Sequence, residues 1–168
     1  MSKRLPVFVD VGQLLARQGE LEGALPLAGM ARLREAVLAA PGEARFSLRF
    51  APAPQWRGRI EGWTQAAVSM RCERCLEPVE VALGGPVALY VVDSEQQLEQ
   101  LARGEEGMVL PEATVKLSDW IEDELVLSLP VAPRHADCTL PAVPTREVVP
   151  VEAPENPFAA LQRLKDDD

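Results

Sequence analysis

Two cysteines lie between two stretches of alternating sequence, and this arrangement constrains the fold more than any other feature. Only two residues separate Cys72 from Cys75. Apolar and polar side chains alternate from Gln65 to Arg71, and the alternation resumes over residues 79–83. A period of two on both sides predicts two strands joined by a short loop. We therefore expect both thiols at the tip of a hairpin, where they could share a metal ion or a disulfide.

The size and cysteine content of the chain favour one domain from a reducing compartment. A chain of 168 residues with 26% charged residues can bury one full core and carry a tail. The apolar run over residues 5–9 is too short for a signal-peptide core or a membrane span, so we expect a cytoplasmic protein. Three cysteines there argue against a disulfide framework and leave metal binding, redox chemistry or simple burial.

The net charge of −9 hides a division between the two halves of the chain. Through Cys75, 11 Lys and Arg stand against 7 Asp and Glu, a net +4; from Leu76 onward, 6 stand against 19, a net −13. A nucleic-acid partner would have to meet the first half, because phosphate contacts need clustered basic side chains. The alternative is a solvated surface of uneven charge.

Basic side chains alternate with apolar ones in the segments that precede the cysteines. Residues 43–51 and 56–61 are predicted strands with one apolar and one basic side. If they pair with a strand over 65–72, five arginines share the wet face of an antiparallel sheet, and Arg74 follows in the loop. The predicted RNA-contacting residues are Arg45, Arg49, Arg57, Arg59, Arg71 and Arg74. Phe46 and Trp56 point to the apolar side, which predicts phosphate contacts without a stacking platform.

The remaining pattern predicts several further elements. Helices are expected over residues 31–40, 94–104 and 117–129, the last with a leucine-rich face. Gly84-Gly85 is predicted to form a turn between two strands. The three consecutive acidic residues of the last helix are expected on its solvated outer face: Glu122, Asp123 and Glu124.

The end of the chain differs in composition from the rest. Seven prolines fall between Pro130 and Pro157, which predicts an α+β domain over residues 1–130 and a proline-rich tail over 131–168. The tail regains a helical pattern at Asn156, with Pro157 at the first helical position. Such a short helix is marginal alone, so it would dock on its own domain or on a partner, or remain unfolded.

The clearest chemical constellation combines all three cysteines with the single histidine. Cys72 and Cys75 form one pair, and His135 and Cys138 form a second pair with the same spacing. Two such pairs suit a tetrahedral zinc site. The alternative is a reduced thiol pair in a loop and an exposed histidine. Leu76 argues against zinc, because glycine would ease the turn at that position.

Enzymatic interpretations find little support. A thioredoxin-like pair opens a helix, whereas here the strand pattern continues after Pro78, although Arg71 and Arg74 could favour a thiolate. Phosphate-binding and nucleophile-elbow motifs are absent from the sequence. We therefore predict that the protein is not an enzyme and has no catalytic residues.

Three motifs in order resemble the YceD family of large ribosomal RNA subunit accumulation proteins. They are Cys72-Glu-Arg-Cys-Leu-Glu-Pro78, the segment from Ile121 to His135, and Asn156-Pro-Phe-Ala-Ala-Leu161. The resemblance implies a cytoplasmic, non-enzymatic ribosome biogenesis factor that supports synthesis, processing or stability of 23S ribosomal RNA by binding its precursor. Some relatives carry further cysteines in the segment matching 135–145, which implies a metal knuckle there.

The patterns and the resemblance together give one prediction with two alternatives. We expect an α+β fold whose antiparallel sheet could curl into a partial barrel, with the 117–129 helix packed on it. Its arginines would meet the large-subunit ribosomal RNA precursor, and the C-x-x-C loop, which could bind zinc, would hold the local fold. The first alternative is an adaptor whose acidic half and terminal helix dock on a ribosomal protein or a processing nuclease. The second is a C-x-x-C thiol redox protein.

Overall fold

A computed structural model describes residues 5–110 and 114–140. The strands are β1 Phe8–Val9, β2 Glu20–Pro26, β3 Glu43–Ala53, β4 Trp56–Arg71, β5 Pro78–Val92, β6 Glu106–Val109 and β7 Val115–Lys116. The helices are α1 Val11–Ala16, α2 Ala31–Ala36, α3 Glu95–Leu98 and α4 Leu117–Leu127, with one 3-10 turn at Leu27–Gly29. The predicted terminal helix and most of the predicted tail lie outside the described residues.

Five strands form the main sheet in the order β2-β3-β4-β5-β6. Every neighbouring pair is antiparallel except β5 and β6, which run parallel. β2 and β6 are separate edges, so within the described residues the sheet does not close into a barrel. β1 and β7 form a second, two-stranded sheet. The predicted α+β fold with a mostly antiparallel sheet is confirmed.

One face of the sheet forms the core. Phe46, Leu48 and Phe50 of β3 are almost fully buried, as the alternating pattern predicts. Helices α1 and α4 cover this face, and the Trp120 ring of α4 meets Phe50 edge-on with centroids 6.2 Å apart. In the described part of the chain, the arginines on the opposite face of β3 and β4 are exposed or half-buried.

The hairpin of β4 and β5 is longer than the sequence predicts. Both strands are continuous, and their register runs from Gly58 opposite Val91 to Arg71 opposite Pro78. Gly84-Gly85 therefore lies inside β5, and the predicted turn there is wrong. Gly84 has a φ of +93°, and a Cβ on it would lie 2.2 Å from the Thr64 carbonyl oxygen. Glycine thus allows the two long strands to remain paired through an irregular point.

Two predicted helices are shorter in the structure. α2 ends at Ala36 because Val37 turns extended, and Ala39 then bridges to Ser69 of β4. α3 covers only Glu95–Leu98 and begins with a side-chain cap, in which the Gln97 N–H donates to the Ser94 hydroxyl oxygen. Among the described residues, no helix has both the length and the apolar character required to cross a membrane.

Candidate functional site

The loop between β4 and β5 holds the cysteine pair, as predicted, at the tip of the long hairpin. The Cys72 N–H donates to the Glu77 carbonyl at 2.9 Å, and the Leu76 N–H donates to the Cys72 carbonyl at 3.0 Å. Leu76 adopts a left-handed conformation with φ +68°. The loop therefore makes its tight turn without glycine, at the cost of local backbone strain.

The segment after α4 returns to this loop and brings the second pair of candidate ligands. The Glu73 N–H donates to the Pro133 carbonyl at 2.9 Å, and an Arg74 guanidinium nitrogen donates to the Cys138 carbonyl at 3.0 Å. These bonds attach the start of the predicted tail to the hairpin tip. Arg74 therefore belongs to the cysteine loop and not to the sheet face that carries the other candidate arginines.

Four potential ligand atoms converge at this junction, which we call the Cys3His cluster: Cys72, Cys75, His135 and Cys138. All four atoms lie within 4.8 Å of one another. The Cys72 and Cys138 sulfurs are 3.6 Å apart, and the Cys75 sulfur lies 3.3 Å from His135 Nδ1. Zinc binds sulfur at about 2.3 Å, so two sulfurs on one tetrahedral ion lie about 3.8 Å apart. The observed spacing therefore fits a zinc ion.

The surroundings of the cluster also suit a metal ion. His135 Nε2 donates to the Pro78 carbonyl at 3.0 Å, which leaves Nδ1 with its lone pair directed at the cysteines. Metal-ligating histidines usually make such a bond with the other ring nitrogen. The Arg74 backbone N–H donates to the Cys72 sulfur at 3.4 Å and supports negative charge there.

The thiols differ in how readily they ionise. Burial raises the pKa of the Cys72 thiol, but backbone hydrogen bonds, led by one from Cys75, outweigh it and lower the pKa to about 5. Burial and the neighbouring sulfurs of Cys72 and Cys75 raise the pKa of Cys138. A bound dication would lower the pKa of Cys138 as well as that of Cys72, because it stabilises every thiolate that contacts it.

The second candidate surface is the open face of β3 and β4, which we call the arginine face. It carries five of the six predicted residues: Arg45, Arg49, Arg57, Arg59 and Arg71. Alternation along each strand places all five on the side opposite the buried core residues. The antiparallel register brings β3 and β4 together, with Arg49 opposite Glu61 and Arg45 opposite Gln65.

Carboxylates accompany these arginines. Arg49 pairs with Glu20 of β2 at 2.9 Å, Arg59 pairs with Glu61 at 2.9 Å, and Arg57 lies 3.8 Å from Asp93. Glu22 and Glu80 lie on the same face by register. Within the described residues, Arg45 and Arg71 form no ion pair. The face is therefore mixed in charge rather than uniformly basic.

Two aromatic residues lie on the arginine face and were missed by the sequence analysis. Trp63 follows Glu61 by two positions and is 42% exposed. The Arg59 guanidinium lies 5.4 Å from the centroid of the Tyr90 ring, which faces it from β5. The expectation of a face without a stacking platform considered only Phe46 and Trp56 and overlooked these two rings. The signal was in the sequence, because Trp63 shares the odd-numbered alternation of Arg57 and Arg59.

Comparison with known proteins decides the family. The family model described as "Large ribosomal RNA subunit accumulation protein YceD" matches residues 60–165. The chain belongs to the YceD family. A relative from Haemophilus influenzae that carries the same name is 30% identical over 168 residues, which is 96% of this chain and 97% of the relative. No solved structure matches the chain.

The YceD model covers the Cys3His cluster completely and the arginine face only in part. The match includes most of β4, all of β5 and α4, but it begins after Arg57 and Arg59 and also leaves out β3 with Arg45 and Arg49. The alignment with the Haemophilus influenzae relative covers nearly the full length of both chains. Family membership thus applies to the whole chain, whereas the roles of individual arginines and cysteines depend on the geometry described above.

Proposed function

We propose that this YceD protein is a cytoplasmic ribosome biogenesis factor that supports the accumulation of large-subunit (23S) ribosomal RNA. The observation that carries the proposal is the nearly full-length relation to a protein named for that role, together with the family match over residues 60–165. No catalytic role is proposed, because the cluster of cysteine and histidine side chains found among the described residues has the composition of a structural metal site.

The proposed mode of action is binding of the ribosomal RNA precursor through the arginine face. Five guanidinium groups on neighbouring strands suit a phosphate backbone, which is the main source of affinity in RNA binding. The ion pairs with Glu20, Glu61 and Asp93 are exposed, and such pairs are worth only about 0–1 kcal/mol. Phosphate groups can therefore displace these carboxylates at little cost.

The proposed role of the Cys3His cluster is structural. Zinc held by Cys72, Cys75, His135 and Cys138 would have no open position, which is typical of structural rather than catalytic sites. It would fix the segment after α4 to the tip of the β4–β5 hairpin. A thiol redox role is less well supported, because Cys72 is fully buried and an attacking partner could not reach its sulfur.

Charge reversal on the arginine face tests RNA binding. The double substitution Arg57→Glu and Arg59→Glu should weaken binding of the full chain to large-subunit RNA precursor at moderate salt. It should also reduce the slope of log affinity against log salt by roughly one for each lost phosphate contact. The matched control is Arg17→Glu with Arg103→Glu, which makes the same charge change at exposed positions off this face. Unchanged binding of the Arg57/Arg59 variant would remove the arginine face from the proposal.

An adaptor role is the second candidate, and the mixed charge of the arginine face favours it. Carboxylates already engage Arg49, Arg57 and Arg59, and the chain from Leu76 onward carries a large excess of acidic residues. Such a surface suits a basic ribosomal protein or a processing nuclease. Crosslinking in cells separates the two candidates: RNA crosslinks at β3 and β4 favour direct binding, and protein crosslinks at residues 117–165 favour the adaptor.

A further inference from the structure

Trp63 occupies an unusual position for a large apolar side chain. It lies in the middle of β4, a central strand of the sheet, yet it is on the open face and 42% exposed. The buried face of the same strand holds smaller side chains such as Ile60 and Val68. Exposed indole surface costs free energy in water, so a partner that covers it would recover that cost.

The neighbours of Trp63 leave one side of its ring open. Pro86 lies opposite it on β5, and the diagonal neighbours there are Gly84 and Ala88. None of these three side chains is long enough to cover an indole ring. On the β3 side, Ser47 lies opposite, and the diagonal neighbours are Arg45 and Arg49. With 42% of its surface exposed beside a depression, the ring is accessible to a flat ligand.

The polar groups around Trp63 match a nucleobase and its backbone. A depression beside the ring is lined by Glu20, Ser47, Arg49 and Glu61, which together offer hydrogen-bond donors and acceptors. A base presents both kinds of group at its edge, whereas a phosphate presents acceptors alone. Arg45 is a diagonal neighbour of Trp63 on β3, and such neighbours are about 7–8 Å apart. It is also outside any ion pair in the described part of the chain.

We propose that Trp63 is a stacking platform for an unpaired base, so that the ligand of the arginine face is single-stranded RNA. The indole ring stacks on the base, and Arg45 contacts the adjoining phosphate. Tyr90 lies on the same face, but the Arg59 guanidinium already lies over its ring, so Trp63 is the platform of this proposal. This inference rests on the proposed RNA-binding function and specifies the class of RNA. A duplex hides its base faces and would gain nothing from Trp63.

Binding of two labelled RNAs to the full chain tests this inference. The probes are a single-stranded 12-mer from the large-subunit precursor and the same 12-mer in a duplex. Trp63→Ala should weaken single-strand binding about tenfold and leave duplex binding unchanged, because stacking on an aromatic ring favours unpaired bases. Trp63→Phe should retain most of the single-strand affinity. Arg45→Gln should weaken binding to both probes, because a phosphate contact does not depend on strand pairing.

Fluorescence provides an independent measurement that does not depend on the alanine variant folding well. Single-stranded RNA should quench the tryptophan emission of the wild-type chain, and Trp63→Phe should lose most of the quenching while Trp56 and Trp120 remain. Quenching that persists in Trp63→Phe would overturn the inference.

The remaining outcomes separate this inference from the proposed function. Equal single-strand affinity of wild type and Trp63→Ala, with Arg45→Gln still weakened, would overturn the stacking role and leave RNA binding intact. Wild-type protein that binds neither probe would overturn both. If neither RNA binds and Trp63→Ala weakens binding of a basic ribosomal protein, both the stacking role and RNA binding are overturned. The surface would then belong to the adaptor role.

Discussion

His135 shows how one residue links the two distant parts of the Cys3His cluster. Its Nε2 donates to the Pro78 carbonyl, at the start of β5, and its Nδ1 faces the sulfur of Cys75. The ring therefore bridges the strand and the loop, and it does so in the tautomer that a metal ion requires. The imidazole thus joins the Glu73–Pro133 and Arg74–Cys138 hydrogen bonds in holding the segment after α4, and it supplies the nitrogen of the cluster.

The first prediction concerns the metal content of the cluster. Full-length protein purified without a histidine tag should contain about one zinc ion per chain. Cys138→Ser should lose that zinc and unfold at a lower temperature, because a structural metal contributes directly to folding free energy. The control Asp137→Asn changes an exposed neighbour in the same segment and should retain the metal. Zinc-free native protein, measured by elemental analysis, would rule out the site.

The second prediction concerns Glu124 and the pH dependence of stability. Burial, followed by repulsion from Glu106, raises the pKa of the Glu124 carboxyl in the folded state. The folded protein thus binds this proton more tightly than the unfolded chain, and stability is lost as pH rises through the folded pKa. Glu124→Gln should raise Tm at about pH 8, and the gain should vanish near pH 4, where the carboxyl is protonated.

Asp119 serves as a control whose effect on stability should have the opposite sign to that of Glu124. A hydrogen bond from Lys116 lowers the pKa of Asp119, so its contribution to stability is present above its ordinary pKa and is lost as pH falls through the folded pKa. Asp119→Asn should therefore lower Tm at neutral pH. A Glu124→Gln variant that loses stability at about pH 8 would contradict the assignment of an unfavourable charge to Glu124.

Sequence patterns predicted residues well where spacing carries the information. The repeated two-residue spacing identified all four members of the Cys3His cluster, although 59 residues separate Cys75 from His135. The left-handed backbone of Leu76 could not be predicted from spacing, because the closed loop imposes that conformation on a residue type that rarely adopts it. Glu122 was assigned wrongly to the outer face of α4: it is only 5% exposed, since α2 packs over it.

Helix α2 depends on α4 for its N-terminal cap. Its own N-cap position is Met30, whose side chain cannot accept a hydrogen bond from the first turn. The Glu122 carboxylate of α4 instead accepts the Leu33 N–H at 3.0 Å and also contacts the Arg32 guanidinium at 3.2 Å. Asp123 contacts Arg32 as well, but from an exposed position. A buried carboxylate from one helix therefore satisfies a backbone donor of another.

The third prediction follows from this contact between elements. Glu122→Ala should lower the free energy of unfolding by about 1–3 kcal/mol, because it leaves a buried N–H group without an acceptor. The control Asp123→Ala removes the exposed partner of the same arginine and should cost about 0–1 kcal/mol. Chemical denaturation of both variants makes the comparison. Equal losses would show that the Leu33 bond contributes little.

Elements were predicted from sequence as far as local periodicity extends. The alternation in β3 and β4 and the four-residue repeat of α4 gave the element types and, apart from Glu122, the buried faces. Residues 56–61 and 65–72 were predicted as separate strands and are one continuous strand, β4. The continuity of β5 through Gly84-Gly85 was missed, because two glycines normally mark a turn and only pairing with β4 keeps this strand extended. The early end of α2 likewise depends on a bridge to Ser69, a contact distant in sequence.

In the molecule as a whole, the strand order of the main sheet determines which charged side chains lie together on one face. Five arginines of the first half lie on the arginine face of β3 and β4, while helices α1 and α4 cover the opposite face. The division of charge along the sequence predicted this separation only in part, because Glu20, Glu61 and Asp93 pair with arginines on the same face. Those pairings depend on strand register and could not be read from charge counts.

The fourth prediction tests the central claim in cells, by the ratio of large-subunit to small-subunit ribosomal RNA. In a strain that lacks the gene, the wild-type chain should restore this ratio, and so should the control Arg17→Glu with Arg103→Glu. The variant Arg57→Glu with Arg59→Glu, expressed at the same level, should leave large-subunit RNA depleted, because we propose that the precursor binds through the arginine face. Full restoration of the ratio by the Arg57/Arg59 variant would contradict this account.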